Sequence, residues 1–154
     1  MGAMKALIQR ALKGSVRVDG EVIGEIGPGL VILLGVTHED SEKQVDFLVN
    51  KIANLRLFSG DSSEFDTSVL DEKKEVLVVS QFTLYGSCNK GRRPDFGEAA
   101  RPEKAEPLYE LFIKKMREAG LSVATGRFGA DMKVELVNDG PVTILIENLK
   151  AESG

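Results

Sequence analysis

The stretch of residues 76–85 carries two hydroxyl groups, on Ser80 and Thr83, with the amide of Gln81 between them. It begins as an apolar run rich in β-branched residues, which is typical of a strand buried on both faces. Polar groups are costly to bury unless they are hydrogen-bonded. The sequence therefore predicts a strand over residues 76–85 that runs out of the core into a pocket.

The two hydroxyl groups have two interpretations. A hydroxyl nucleophile usually needs a neighbouring base, and the only histidine, His38, is predicted to be solvated in a strand-to-helix loop. On an ideal strand Ser80 and Thr83 point to opposite faces, whereas Gln81 and Thr83 share a face. The hydroxyl groups therefore either take part in catalysis or only satisfy hydrogen bonds at a polar strand edge.

Residues 138–143, which read Asn-Asp-Gly-Pro-Val-Thr, form a second candidate site. The bond before a proline is the one place where a cis peptide is readily accessible. A cis bond between Gly140 and Pro141 would aim two carbonyl groups in fixed directions, which suits a site that reads the stereochemistry of a small substrate. An ordinary turn explains the same residues, so both interpretations stay open.

Lys90, Arg92 and Arg93 form a basic cluster in a chain whose net charge is -4. Such a cluster can bind phosphate groups, or it can be a solvated loop paired with acidic neighbours. The glycine-containing loop of residues 126–132 is followed by another strand, whereas a phosphate-binding P-loop precedes a helix. We therefore exclude a P-loop and keep both interpretations of the basic cluster.

Composition limits the classes of protein that fit this chain. Its 154 residues are the size of one ordinary domain, and its acidic character argues against coating nucleic acid by bulk electrostatics. Cys88 is the only cysteine, which excludes an intrachain disulfide and a cysteine-bound zinc. No apolar run is long enough to cross a membrane. We expect a cytoplasmic protein with no metal and no membrane association.

The elements that must position these residues are mostly strands. Alternating apolar residues indicate strands, and Asp19-Gly20 is a strong hairpin signal. Residues 30–36 are nearly all apolar, which is typical of a central strand. The predicted strands cover residues 6–12, 16–18, 22–26, 30–36, 57–58 and 76–85, with further strands after residue 120 that break at residues 126–131 and 139–141.

Two helices are predicted to cover one face of the sheet. Ser41 is a good N-cap for a helix over residues 42–55. Pro102 is a suitable first residue for the second helix, which ends at Gly120, and Pro107 predicts that its regular part begins only near Ala105. Its predicted buried stripe consists of Leu108, Leu111, Phe112, Met116 and Ala119. The expected fold is α/β, with mixed, largely antiparallel, barrel-like sheet layers and both helices on one side.

From residue 4 to about residue 146 the chain resembles the D-aminoacyl-tRNA deacylase family, also called the D-Tyr-tRNA deacylase family. The resemblance lies in two signature motifs, Ser-Gln-x-x-Leu at residues 80–84 and Asn-x-Gly-Pro-x-Thr at residues 138–143. Supporting matches are found at residues 9–10, 91–94, 125–128 and 130–132. The domain limits that follow are an expression-tag remnant at residues 1–3, one deacylase domain at residues 4–150 and a tail at residues 151–154.

The resemblance implies the family fold and a homodimer whose active sites lie at the subunit interface. Gly140-Pro141 would be a Gly-cis-Pro element that reaches into the partner's pocket and rejects L-amino acids by steric exclusion. Arg10 matches the arginine that orients this element, and Phe82 and Thr83 match residues around the terminal adenosine and the aminoacyl group. Asn138, Thr143 and Met132 complete the implied set for substrate binding and chiral selection.

The activity implied is hydrolysis of the ester between a D-amino acid and the 3' end of tRNA, a chiral proofreading step, with no cofactor. Glycine mischarged on tRNA-Ala would be a second substrate. The implied catalytic segment is Ser80, Gln81, Phe82 and Thr83, with the ribose 2'-OH assisting the attacking water and backbone N–H groups near Phe82-Thr83 stabilising the oxyanion. Lys90, Arg92 and Arg93 are candidate tRNA contacts. A non-catalytic tRNA-binding module is the alternative.

Overall fold

A computed structural model describes residues 3–147. These residues form a six-stranded sheet, two α-helices and one turn of 3-10 helix, Phe82–Tyr85. The expectations for Met1, Gly2 and the tail at residues 151–154 lie outside the described residues. The strands are β1 Lys5–Val18, β2 Glu21–Ile26, β3 Gly29–Gly35, β4 Glu75–Ser80, β5 Ser122–Thr125 and β6 Lys133–Glu147, and the helices are α1 Glu42–Asn54 and α2 Pro102–Glu118.

The sheet is mixed and nearly closes into a barrel. Its order is β2-β1-β3-β4-β5, with β6 paired to β1. The pairs of β1 with β2, β3 and β6 are antiparallel, whereas β3, β4 and β5 are parallel. The two ends of this order approach each other, because a Cβ atom at Gly24 in β2 would come within 2.4 Å of the carbonyl oxygen of Thr125 in β5.

Strand β4 is buried on both faces, as its apolar run predicted. Val76 and Val78 belong to the core that both helices cover, whereas Leu77 and Val79 belong to a smaller core inside the barrel. The helices lie together on one side, and the ammonium of Lys115 in α2 contacts the carboxylate of Glu42 in α1 at 2.6 Å. The α/β class, the mixed barrel-like sheet and the one-sided helices are confirmed.

Helix α2 differs from its prediction in two ways. Its start at Pro102 is confirmed, but it is regular from there rather than from near Ala105, because a proline at the first helical position lacks only an N–H that has no helical partner. Pro107 then lies inside the helix. The buried stripe is also rotated: Tyr109 and Ile113 are buried and Ala119 is exposed, since the Tyr109 hydroxyl finds an acceptor in the Val78 carbonyl, 3.0 Å away.

Three strand boundaries also differ from the prediction. β1 is one continuous strand where two were predicted, and Phe58 forms only an isolated bridge with Thr67. β6 continues through the predicted break at residues 139–141, because a local change of register absorbs the extra residues.

None of the helices in residues 3–147 has both the length and the hydrophobicity that are needed to cross a bilayer.

Candidate active site

The predicted strand over residues 76–85 is wrong beyond Ser80. Gln81 still donates its N–H to the Leu34 carbonyl at 2.8 Å, but β3 ends at Gly35, and the last residue of β5 that pairs with β4 is opposite Val78. A backbone that has lost both neighbouring strands must satisfy its hydrogen bonds locally. The chain therefore turns into the 3-10 helix Phe82–Tyr85, which Gly86 closes with a 2.9 Å bond to the Thr83 carbonyl.

The turn decides how the candidate catalytic side chains meet. The Gln81 amide donates to the hydroxyl of Thr83, so these two side chains are neighbours through the turn and not through a strand pleat. Within residues 3–147, no carboxylate, imidazole or amine is hydrogen-bonded to the hydroxyl of Ser80 or Thr83. His38 is exposed, as predicted, and its Nε2 lies 2.7 Å from the Gly97 carbonyl.

A cavity of about 550 Å³ opens beside the 3-10 helix. Ser80, Gln81, Phe82 and Met132 are among the residues that line it. The exposed ring of Phe82 meets Phe96 edge to face, with 5.2 Å between the ring centroids. The volume is that of a typical small-ligand site. The rest of the wall is mostly apolar and aromatic and includes Val36, Phe96, Ala99, Ala100, Tyr109 and Phe128.

Tyr109 is the titratable aromatic residue of this cavity. Burial raises the pKa of its hydroxyl to about 12, so that the group stays protonated at neutral pH and donates to the Val78 carbonyl. It is therefore a structural donor and not a base. No single sequence motif contains Phe96 or Tyr109, because they come from separate segments that meet only in the fold; Phe128 lies in one of the supporting matches.

The second group of candidate residues lies in β6, where the strand bulges. Gln9 is opposite Thr143 and Ala11 is opposite Asn138, so that the single residue Arg10 faces residues 139–142. The bond between Gly140 and Pro141 is cis, and Gly140 has a φ of 134°. The extra residues project from the sheet and present the Gly140-Pro141 backbone at the surface.

Arg10 fixes this bulge through its guanidinium group. Its Nε donates to the Asp139 carbonyl at 3.1 Å, and its Nη1 donates to the Leu57 carbonyl at 2.7 Å. The carboxylate of Asp139 lies 3.6 Å from Nε, and the ring of Phe65 faces the guanidinium at 5.9 Å. The arginine thereby connects the bulge to two neighbouring segments, and Leu57 and Phe65 are partners that no sequence motif revealed.

The ends of the bulge are closed by side-chain hydrogen bonds. Asn138 accepts the Val142 N–H at 2.9 Å and donates its amide to the Thr143 hydroxyl at 2.9 Å. The Thr143 hydroxyl also accepts the amide of Gln9 at 3.3 Å. These bonds fix the path of the backbone on both sides of Gly140-Pro141, so Asn138 and Thr143 shape the element rather than line the cavity.

The structure thus divides the predicted site residues into two groups. Ser80 is paired through Leu34, and Arg10 is paired with Leu30, so the groups are about 13 Å apart along the strand direction at 3.3 Å per residue. Of the residues predicted for substrate binding and chiral selection, only Met132 lines the cavity; Gly140, Pro141, Arg10, Asn138 and Thr143 do not.

The basic cluster lies on a loop that leaves the rim of the cavity. Ser87 and Asp95 pair through two backbone hydrogen bonds of 2.8 Å, and residues 88–94 project beyond this pair. Lys90, Arg92 and Arg93 are exposed there. In the part of the chain that the structure describes, none of the three forms an ion pair, which argues against the interpretation that they are paired with acidic neighbours.

Comparison with known proteins agrees with this geometry. A family model described as D-Tyr-tRNA(Tyr) deacylase matches residues 7–147. The D-aminoacyl-tRNA deacylase of Brevibacillus brevis is 59% identical over 145 residues, which cover 94% of this chain and 100% of the relative. That of Shouchella clausii is 58% identical, with coverage of 94% and 99%.

Two solved structures have a similar fold. One is a c-Myc DNA unwinding element binding protein, with a TM-score of 0.88 and 44% identity over 94% of this chain and 99% of that one. The other is a probable eukaryotic D-amino acid tRNA deacylase, whose TM-score of 0.82 at 16% identity, over 95% and 100% of the two chains, concerns the fold alone. The chain therefore belongs to the D-Tyr-tRNA(Tyr) deacylase family, hydrolases that act as D-aminoacyl-tRNA deacylases, which is the assignment that its two sequence motifs predicted.

Proposed function

We propose that this deacylase proofreads tRNA in the cytoplasm by removing D-amino acids, and glycine mischarged on tRNA-Ala, with a mechanism that the substrate's own ribose 2'-OH assists. Residues 4–150 form the single domain that carries the activity. The observation that carries the proposal is the bulge at residues 138–143, where a glycine backbone, fixed by Arg10, is presented at the surface. A rigid backbone can exclude a side chain of one chirality without contributing a reactive group.

A homodimer with shared sites accounts for the separation between the bulge and the cavity. In the described residues β6 pairs only with β1, so its other edge is open. The apolar side chains of Val134, Val137 and Leu145 on β6 are exposed. Open apolar edge strands are usually covered in native proteins. A second copy would cover this edge, and Gly140-Pro141 of each protomer would enter the cavity of the other.

The cavity suits the terminal adenosine of tRNA. Its aromatic residues offer faces on which a base can stack, which is a common mode of binding single-stranded RNA ends. With the base held by this wall, the ester would lie near Phe82 and Thr83. These are the first residues of the 3-10 helix, where N–H groups lack helical partners, and they are suited to stabilise the developing oxyanion.

Assistance by the 2'-OH fits the absence of a side-chain base. The attacking water must lose a proton, and no base is hydrogen-bonded to Ser80 or Thr83 in residues 3–147. The 2'-OH stands on the ribose carbon next to the ester and is held wherever the ester is held; it would take the proton of the attacking water while giving its own proton to the leaving 3' oxygen. Thr83, oriented by Gln81, would then position the substrate. Glycine has no side chain to clash with the bulge, so its ester would also be hydrolysed.

Release of amino acids from charged tRNA tests the function directly. Purified protein is mixed with D-Tyr-tRNA, L-Tyr-tRNA and Gly-tRNA-Ala, and the rates of ester loss are compared with the uncatalysed rates. We expect strong acceleration for the D-ester and for Gly-tRNA-Ala and none for the L-ester. Tight binding of D-Tyr-tRNA without acceleration would instead support a non-catalytic tRNA-binding module.

We propose that Lys90, Arg92 and Arg93 contact phosphates of the acceptor stem. The double substitution Arg92→Ala and Arg93→Ala should raise KM for D-Tyr-tRNA and make the slope of log KM against log salt shallower by about 2, since each phosphate contact contributes about one counterion. The measurement is a salt titration of initial rates.

A matched control for this experiment removes two exposed lysines from the outer faces of the helices, with Lys43→Ala and Lys114→Ala. It changes the net charge by the same amount at a distance from the cavity. A salt slope that falls equally in both double variants would show that net charge, and not the loop, attracts the tRNA.

A further inference from the structure

The turn that follows β3, residues 36–40, is hydrogen-bonded to residues 97–100, the segment that follows the basic loop. The Val36 carbonyl accepts the Ala100 N–H at 2.9 Å, and the Thr37 hydroxyl donates to the Glu98 carbonyl. Nε2 of His38 lies 2.7 Å from the Gly97 carbonyl. Three consecutive residues of the turn are thus bonded to Ala100, Glu98 and Gly97 of the other segment, and the ammonium of Lys104 donates to the His38 carbonyl.

The turn itself is held by Asp40. Its carboxylate accepts the Thr37 N–H at 2.8 Å, and its own N–H donates to the Thr37 carbonyl at 3.2 Å. Thr37 and Asp40 are each only 2% exposed. A buried turn with these bonds has a fixed conformation. The loop at residues 88–94, which is linked to the turn through residues 97–100, is exposed.

The held segment connects two parts of the proposed substrate site. Val36, Ala99 and Ala100 form part of the cavity wall, and Phe96 meets Phe82 at its rim. Asp95, directly before Phe96, closes the base of the basic loop by pairing with Ser87. Any shift of residues 97–100 would therefore change the position of the basic loop relative to the cavity.

We propose that the turn of residues 36–40 is a clamp that sets the distance and angle between the basic loop and the cavity, and that Thr37 is its positioning residue. RNA phosphates bound by the loop are thereby held where the 3' end of the same RNA can enter the cavity. This inference rests on the proposed function and adds to it the element that couples binding of the acceptor stem to binding of the terminal adenosine.

The variant Thr37→Val tests the clamp, because it keeps the shape of the side chain and removes the donor to Glu98. Two substrates are compared: D-Tyr-tRNA, which has an acceptor stem, and D-tyrosyl-adenosine, which has none. We expect KM for D-Tyr-tRNA to rise roughly tenfold, the size of one lost hydrogen bond, with kcat changed little. KM for D-tyrosyl-adenosine should stay at the wild-type value, and Thr37→Ser should restore the wild-type KM for tRNA.

A second turn in the chain provides a matched control. Ser68 donates its N–H to the Asp71 carboxylate at 2.9 Å, and its hydroxyl accepts the Asp71 N–H at 3.0 Å. Ser68 is 3% exposed, and in the described residues no hydrogen bond or ion pair joins this turn to the basic loop. The variant Ser68→Ala removes a hydroxyl from a residue as buried as Thr37, in a turn closed by the same kind of Asp contact, and should leave KM for both substrates unchanged.

The outcomes separate the clamp from the proposed function. Equal changes of KM for both substrates in Thr37→Val, or no change for either, would overturn the clamp. A wild-type protein that hydrolyses neither substrate would overturn the proposed function instead. If Thr37→Val does not fold, His38→Ala removes the exposed contact to Gly97, and the same selective rise in KM for tRNA, or its absence, decides the matter.

Discussion

The substitution Gly140→Ala is expected to lower kcat/KM for D-Tyr-tRNA by about 100-fold, which is the effect of displacing a positioning element by about 1 Å. Gly140 has a φ of 134°, a conformation that side chains with a Cβ atom rarely adopt. The added Cβ would also lie 2.8 Å from Cγ2 of Val142 and 3.1 Å from Nη2 of Arg10. The bulge would therefore have to open, and the hydrogen bond from Arg10 to the Asp139 carbonyl would be lost. Ester release measured on D-Tyr-tRNA is the readout.

Gly20→Ala is the matched control for this substitution. Gly20 also has a positive φ, 82°, but no atom lies within 4 Å of the position that its Cβ would take. It lies in the hairpin turn between β1 and β2, so its replacement should lower stability by about 1 kcal/mol and leave kcat/KM unchanged. An undisturbed rate in Gly140→Ala, or an equal loss of rate in both variants, would contradict the role of the bulge.

If the protein forms the proposed homodimer, mixed dimers show whether the bulge acts on the cavity of its own chain or of the partner. Gly140→Ala is co-expressed with Ala99→Trp, whose large side chain would fill the cavity that Ala99 lines. If the bulge acts in the partner, a mixed dimer has one complete site, and a random mixture regains about a quarter of the wild-type activity. If the bulge acts in its own chain, neither protomer is complete and no activity returns.

Local patterns in the sequence were sufficient where the structure depends on local contacts. The apolar run of β4, the hairpin at Asp19-Gly20 and the start of α1 after Ser41 follow from spacing and turn residues, and all three are confirmed. The end of β4 was missed, because it depends on where β3 and β5 stop. The start of α2 at Pro102 was predicted, but the regular helix before Ala105 was not, because Pro107 was given too much weight against a helix whose packing and Tyr109 hydrogen bond favour it.

The candidate site was predictable in its residues but not in its arrangement. The two motifs named Ser80, Gln81, Phe82 and Gly140-Pro141 without showing that the strands carry them to separate places. That separation depends on the register of β1 with β3 and β6, which spacing within one segment does not encode. The same reason hid the aromatic wall, since Phe96, Tyr109 and Phe128 lie on three different segments.

The second large effect is expected from a change in the substrate rather than from a change in the protein. D-Tyr-tRNA that ends in 2'-deoxyadenosine should be hydrolysed at least about 100-fold more slowly at saturation, because proton transfer by a positioned group contributes that much or more. The base and the amino acid keep their contacts, so KM should change little. Comparison of single-turnover rates for the two tRNAs, each charged through the 3' oxygen, measures the difference.

Thr83→Ala provides the complementary measurement on the same reaction. In the described residues, the Thr83 hydroxyl is bonded to the Gln81 amide and to no base, so its loss removes one neutral hydrogen bond and should slow the ribo substrate by no more than about tenfold. With the 2'-deoxy substrate the two losses should add in free energy, since the groups act separately. A loss of several orders of magnitude in Thr83→Ala, with the fold intact, would instead identify the hydroxyl as the nucleophile. In that case the deoxy substrate would lose little, because the attacking oxygen would come from the protein.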